Sequence, residues 1–334
     1  MESESNDIID NLMSNDDGIN RADFLKCMAW AGTGVFFMMQ GGVLKSFGMS
    51  QMIDKATGGL KAGLMMPKSD FCFVQISDSH IGFTKPANTD VVGTLKAAVD
   101  KINAMPITPS FILHTGDLTH LAQPDEFDTV DQVMKSAKSE KVFYVPGEHD
   151  VNTDNSKKFL DRYGKGTKGD GWYSFDSNGV HFIALVNVAN LAEGGLGYLG
   201  NDQLDWLEKD LKGLSKSTPI VVFAHIPLWA VYPQWGWGTS DSAKVLTLLK
   251  RFGSVSVLNG HIHQTIQKVE GNITFHTAPS TAFPQPKPGE APSPGPMKVP
   301  AEKLRSYLGL TSVNYVEHAH TLAVTDMPLI EGEK

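Results

Sequence analysis

From residue 71 onward, short apolar runs rich in β-branched and aromatic residues alternate with stretches whose apolar positions recur at helical spacing. Residues 71–77, 110–115, 141–146, 181–187, 220–225 and 255–259 read as strands. Between the first two, Val92, Leu95, Val99 and Ile102 fall on one helical face, with Asn88 placed to cap it. Leu204, Leu207 and Leu211 mark another helix, and Val245, Leu248 and Leu249 a third. Strands alternating with amphipathic helices predict a layered α/β architecture. The last apolar segment, with Tyr315, Val316, Leu322 and Val324, reads as a hairpin packed on the same domain. Three stretches interrupt the rhythm. Residues 191–200 are rich in glycine and residues 233–239 set Trp235 and Trp237 among glycines, so both are exposed or site-bordering loops. Residues 284–300 are dense in proline and read as an extended surface excursion.

The N-terminal stretch is patterned differently. Residues 1–20 are polar and acidic, and Arg21-Ala22-Asp23-Phe24-Leu25-Lys26 then leads into an apolar run over residues 27–44. Polar, then positive, then apolar is the order of an export signal. The stretch resembles a twin-arginine signal, with Ala22 where the second arginine would stand. The run is near the lower length limit for a bilayer span, so it reads as an export signal or a membrane anchor, with a buried core helix as the alternative. Residues 1–68 are accordingly expected to be signal or anchor plus linker, and residues 69–334 the folded domain. The first reading places the chain in the periplasm or on a membrane, the second in the cytoplasm.

Composition narrows the partners. The 334 residues carry a formal net charge of −8 without a dense cluster of Lys or Arg, which argues against a nucleic-acid polymer as partner. The two cysteines, Cys27 and Cys72, form no CxxC pair. Histidine is more informative, because His80, His149, His225, His261 and His263 all fall in short motifs next to predicted strand ends.

Those motifs are Asp78-Ser79-His80, Gly116-Asp117, Gly147-Glu148-His149-Asp150, Ala224-His225 and Gly260-His261-Ile262-His263. In open α/β sheets the ligand crevice lies at the carboxyl ends of strands, where distant segments can meet. Carboxylates mixed with imidazoles suit Mn, Fe or Zn, whereas magnesium leans on oxygen alone. The glycines let the chain turn sharply and bring a ligating side chain close to an ion. Strand alternation would put Asp78 and His80 on one face, ready to share an ion. The same holds for His261 and His263, unless the chain turns between them and splits them between adjacent ions.

Together the blocks Gln75-Ile76-Ser77-Asp78-Ser79-His80, His114-Thr115-Gly116-Asp117-Leu118-Thr119, Val145-Pro146-Gly147-Glu148-His149-Asp150 and Asn259-Gly260-His261-Ile262-His263 resemble the calcineurin-like metallophosphoesterases, and among them the bacterial cyclic nucleotide phosphodiesterase-like branch. The resemblance implies a four-layer α/β/β/α sandwich for the catalytic domain, with two metal ions at the strand ends. It also implies that Asp78, His80 and His263 hold one ion, that His225 and His261 hold the other, and that Asp117 bridges them. The family pattern has Asn in the third block where this chain has Glu148, which either binds the second ion, the favoured reading, or accepts a hydrogen bond from a metal-bound water, or leaves the second site weak. Two close ions would activate a hydroxide to attack phosphorus. His149 would then protonate the leaving oxygen, with Asp150 orienting it. His120 is a candidate substrate contact, or else a solvated loop residue. His114 reads as a hydrogen-bonded core residue, and His276, His318 and His320 as structural. Trp235 and Trp237 either stack on a nucleobase or cover a core edge. The function so read is hydrolysis of a small phosphate mono- or diester, with nucleotides among the candidate substrates. The alternative is a non-catalytic metal- or phosphate-binding protein on a decayed phosphoesterase fold.

Overall fold

The computed structural model describes residues 35–40, 43–48, 71–151, 154, 156–316 and 321–330. Val35–Gln40 (β1), inside the N-terminal apolar run, pairs antiparallel with Val43–Gly48 (β2), which begins in the run and continues past its end, so this part is extended where a core helix was the alternative. The rest of the expected signal or anchor lies outside the described residues. Among the described residues no helix is long and apolar enough to cross a membrane.

The layering starts from Phe71–Ile76 (β3), a strand buried along its whole length. Successive side chains leave opposite faces of a strand. Here Phe71 and Phe73 point to one side, and Val74 and Ile76 to the other. β3 runs parallel to Phe111–His114 (β4) and antiparallel to Gly309–Val316 (β12). With Val142–Tyr144 (β5) and Thr321–Pro328 (β13) at the edges, the first sheet has the order β13-β12-β3-β4-β5. The C-terminal hairpin is therefore part of this sheet, with Val313 opposite Val324.

The second sheet is built from Tyr173–Ser177 (β6), Val180–Ala184 (β7), Ile220–Phe223 (β8), Val255–Asn259 (β9), Gln267–Glu270 (β10) and Ile273–Thr277 (β11), in the order β10-β11-β9-β8-β7-β6. Its inner face meets the phenylalanine face of the first sheet. Phe73 stacks on Phe111 with ring centroids 5.1 Å apart, and Phe182 from β7 stands edge-on to both. Burying a side chain of this size contributes about 1.5–3 kcal/mol, so this apolar layer clamps the sheets face to face.

Helices cover both outer faces. Val91–Asn103 (α1), Pro124–Met134 (α2), Glu148–Val151 (α3) and Lys157–Tyr163 (α4) come from the first half, and Leu95, Val99, Phe127, Val130 and Phe159 seal the outer side of the first sheet. Asn201–Leu211 (α5) and Ser242–Leu249 (α6) do the same for the second through Leu204, Leu207, Leu211, Val245 and Leu249. This is the expected four-layer α/β/β/α sandwich. The cap of α1 differs from expectation. Asp90 Oδ1 accepts the Gly93 N–H at 2.8 Å, while Asn88 accepts the Asp90 N–H and donates to the Ala282 carbonyl. Asn88 thus braces the turn before the helix.

On the hairpin of β6 and β7, His181 is buried between Asp176 and Asp210, with Nδ1 and Nε2 2.8 and 2.9 Å from the two carboxylates. Burial opposes charge on the ring, but the two carboxylates outweigh it and raise its pKa above the ordinary value. A histidine shifted upward stabilises the fold fully below its unfolded pKa of about 6.5, and that contribution fades as pH rises through the folded value. The melting-temperature gap between wild type and His181→Gln is therefore expected to be widest below about pH 6.5 and to narrow above it. A gap that widened with rising pH would contradict this assignment.

Candidate metal centre

Each motif follows the carboxyl end of a strand. Asp78 and His80 come after β3, Asp117 after β4, His225 after β8, and His261 with His263 after β9. Glu148 and His149 lie on the one-turn α3, which follows β5. β3 ends at Ile76, so Asp78 and His80 do not owe their shared direction to strand alternation. The chain instead enters left-handed backbone, with φ of 54° at Asp78, 41° at His80, 51° at Asp117, 70° at His261 and 52° at His263. Such conformations cost a non-glycine residue roughly 1–3 kcal/mol each, and they persist only where the surroundings enforce them. Here the Asp78 N–H donates to Gly116 O at 3.0 Å, the His80 N–H to Asp117 O at 2.9 Å, and the Ser280 hydroxyl to Asp78 O at 2.8 Å.

Close approach explains one glycine in particular. A Cβ at Gly147 would lie 2.0 Å from Asp117 Oδ1 and 2.3 Å from the Asp117 backbone nitrogen. Gly147→Ala is expected to displace Asp117, to lower stability by about 1–3 kcal/mol through overpacking, and to reduce bound metal. Thermal melting and metal analysis check this, and wild-type values for both would contradict it.

The side chains meet in two groups that flank Asp117. In the first, Asp78 Oδ1 is 3.2 Å from His263 Nε2, which is 3.2 Å from His80 Nε2. In the second, the two oxygens of Glu148 are each 3.0 Å from an imidazole nitrogen, His225 Nε2 and His261 Nδ1. Asp117 Oδ2 stands between the groups, 3.4 Å from both His80 Nε2 and His225 Nε2. His261 and His263 are thus divided between the groups, the outcome foreseen if the chain turned between them.

Hydrogen bonds set the tautomers. His225 Nδ1 donates to the Thr115 carbonyl at 2.7 Å and His263 Nδ1 to the Phe283 carbonyl at 2.6 Å, so in each ring Nε2 is the atom turned to the centre, presenting a lone pair when the ring is neutral. Burial penalises charge on Asp78, but His263 and His225 outweigh it and bring its pKa down to about 2. Glu148 is likewise held well below the ordinary carboxylate range by His261 and His225, against the effect of burial. Glu148 Oε2, His225 Nε2 and both ring nitrogens of His261 are buried without a hydrogen-bond partner. Unpaired polar atoms in a protein interior are costly, and a cation between Glu148 Oε2, His225 Nε2 and His261 Nδ1 would satisfy those three acceptors at once. The donor set therefore fits divalent metal ions.

His149 sits beside this centre. Its backbone N–H donates to Asp117 Oδ1 at 3.0 Å and its Nδ1 to the His120 carbonyl at 2.8 Å. The orienting partner of His149 is thus this carbonyl and not Asp150. The buried Asp150 carboxylate accepts hydrogen bonds from the backbone N–H groups of Gly147, Leu118 and Thr119 and from the Thr119 hydroxyl. It ties α3 to the loop that carries Asp117. His120 stacks on His149 with centroids 4.8 Å apart and lines the same cavity. Burial and the neighbouring His149 lower the His120 pKa to about 4, so its ring is neutral. His114 is a hydrogen-bonded core residue, as expected, with Nε2 3.0 Å from the Ser79 hydroxyl. His276 pairs with Asp326 at 3.1 Å, while His318 and His320 lie outside the described residues.

A cavity of about 360 Å³ opens over the centre. Leu191, Gly195, Trp235 and Trp237 line it, so both glycine-rich loops border the site. Trp237 is 1% exposed and serves the core edge, whereas Trp235 is half-buried and meets Trp237 edge to face. The proline-rich excursion is not remote surface. It leaves the site at Phe283, whose ring stacks on His80 with centroids 4.9 Å apart, and Pro294 and Pro296 return to wall the cavity. Lys85, Phe283 and Gln285 also line it, and pattern reading missed all three because no motif or spacing marks them.

The profile of the calcineurin-like phosphoesterase family matches residues 72–265, a span that contains Asp78, His80, Asp117, Glu148, His225, His261 and His263. This chain belongs to the calcineurin-like phosphoesterase family. It is a metallophosphoesterase, a hydrolase of phosphoester bonds. The phosphoesterase is 24% identical over 225 residues to a 3′,5′-cyclic-nucleotide phosphodiesterase of Nostoc, covering 66% of this chain and 81% of that relative. It is 26% identical over 223 residues to a serine/threonine-protein phosphatase of Danio rerio, covering 58% of this chain and 70% of the relative. In fold, the phosphoesterase is similar to a dimetal phosphatase from Danio rerio, with a TM-score of 0.60 at 16% identity over 79% of this chain and 98% of that one.

Proposed function

We propose that this phosphoesterase hydrolyses a small phosphate ester at a dinuclear centre of Mn, Fe or Zn. Asp78, His80 and His263 would hold one ion, Glu148, His225 and His261 the other, and Asp117 both. The observation that carries this reading is Asp117 Oδ2 lying 3.4 Å from one imidazole of each group. Two ions so bound would supply Lewis acidity, making water a nucleophile near neutral pH and drawing charge from the phosphoryl oxygens.

The protein's own residues supply the rest. His149 Nδ1 is committed to the His120 carbonyl, which leaves Nε2 as the ring atom available to a leaving oxygen. Burial disfavours a proton on that ring, but in the metal-free protein Asp117, Glu148 and the His120 carbonyl outweigh it and raise the pKa above the ordinary value. With Nδ1 fixed on a carbonyl, a proton on the ring can reach a leaving oxygen from Nε2. The placement of Nε2 is what would let His149 act as general acid. His120, neutral and stacked behind it, completes the wall that faces the ester, and the Lys85 cation on the same cavity favours an anionic substrate. The cavity's size and its proline and tryptophan walls favour a small ester over a polymer. The name of the Nostoc relative makes a cyclic nucleotide the first natural substrate to try.

Assays on bis-p-nitrophenyl phosphate and p-nitrophenyl phosphate, with Mn, Zn or Fe supplied, test this reading. Hydrolysis of either, lost on chelation and restored by metal, is expected. One bound ion and no turnover of any ester would instead indicate a non-catalytic metal- or phosphate-binding protein.

A further inference from the structure

Glu148 spans two imidazoles, one with each carboxylate oxygen, at 3.0 Å on both sides. Among the described residues, Glu148 Oε2, His225 Nε2 and His261 Nδ1 are buried and have no hydrogen bond of regular geometry, so these close approaches are contacts of facing ligand atoms. Donor atoms about 3 Å apart are what adjacent ligands of one ion show when each bond is near 2.1 Å and the angle near 90°. The other position has matching spacing, 3.2 Å between Asp78 Oδ1 and His263 Nε2 and 3.2 Å between the His263 and His80 Nε2 atoms. Both positions therefore offer one carboxylate and two imidazoles, and both border the same oxygen of Asp117. An asparagine at 148 would offer a neutral oxygen, leaving one position with its own anionic ligand and the other without. At bonding distance Coulomb attraction is at its strongest, so that difference of one charge would separate the two affinities. Glu148 also brings the anionic ligands to three, Asp78, Asp117 and Glu148, which offsets more of the repulsion between two dications.

Resting on the dinuclear reading above, we propose that Glu148 equalises the two metal positions, so that the chain takes up two like ions with closely spaced affinities. Like donor types select like metals, so the loaded centre is a pair of the same element. In the alternative arrangement, with unequal positions, one ion would bind tightly and the second weakly.

The test is a calorimetric titration of metal-free full-length protein with Mn(II), with metal analysis of the loaded product. Wild type is expected to take two ions in one unresolved step, with affinities within about tenfold of each other. Glu148→Gln, which removes the charge and keeps the shape, should retain the first ion and bind the second roughly 10–100-fold more weakly. Glu148→Asn should behave the same way, and circular dichroism confirms that each variant is folded. Two well-separated steps in wild type, or second-ion affinity unchanged in both folded variants, would overturn the role given to Glu148 while leaving the dinuclear centre intact. Wild type that binds no more than one ion would overturn the dinuclear reading itself.

Discussion

Asp117→Asn is expected to reduce turnover by roughly 10³-fold or more, equivalent to about 4 kcal/mol of lost transition-state stabilisation, and to leave fewer than two ions bound. Asp117 Oδ2 lies 3.4 Å from a histidine of each group, evenly between them, whereas Asp78 Oδ1 is 3.2 Å from His263 but 3.9 Å from His225. The other Asp117 oxygen takes the His149 backbone N–H at 3.0 Å, so the residue also anchors the start of α3. An asparagine can keep the oxygen that receives that hydrogen bond, but the group facing the two imidazoles then becomes an amide that bridges nothing. Metal analysis and steady-state kinetics on one preparation read both effects. Retention of two ions with a rate within about tenfold of wild type would show that Asp117 is not the bridge.

The second large effect is expected at His149, where replacement by Ala should lower kcat by about 10²–10⁴-fold without loss of metal. The separation follows from the bonding pattern. The hydrogen bond to Asp117 comes from the His149 backbone, which alanine retains, while among the described residues the ring hydrogen-bonds only to the His120 carbonyl. A general acid matters most when the leaving group is a poor one. The loss should thus be smaller for p-nitrophenolate, which leaves unaided, than for an alkyl ester whose oxygen must be protonated. A metal-replete variant with wild-type kcat on the alkyl ester would remove His149 from the chemistry.

Much of this architecture was legible before the structure, for reasons that differ from element to element. β3 could be read because its inward phenylalanines and outward aliphatic residues make it apolar on both faces. α5 showed itself through Leu204, Leu207 and Leu211 at helical spacing. α2 was passed over despite local signals, for Pro124 opens it and Glu126 reaches back to the Gln123 N–H at 3.1 Å. Clustered charges diluted its apolar stripe.

The candidate ligands were legible because carboxylate and imidazole recur beside strand ends, but the means of their convergence was not. Left-handed φ at Asp78, His80, Asp117, His261 and His263 falls on residue types that adopt it more readily than most, but the same types sit far more often in ordinary backbone, so the sequence does not mark where it occurs. The partner of His149 was also hidden, since a backbone carbonyl such as that of His120 carries no side-chain label. Asp150 followed His149 in sequence and so looked like its support, yet a helical turn sends the two side chains to different partners. The part played by residues 284–300 depended on where the chain returned, and proline content alone does not specify a direction.

The most direct measurement is anomalous diffraction from crystals of the full-length protein loaded with Mn(II), with data collected on both sides of the metal absorption edge. Two peaks about 3.5–4 Å apart are predicted, both within bonding distance of Asp117, one against Asp78, His80 and His263 and the other against Glu148, His225 and His261. A single peak, or a pair that does not share Asp117, would contradict the account.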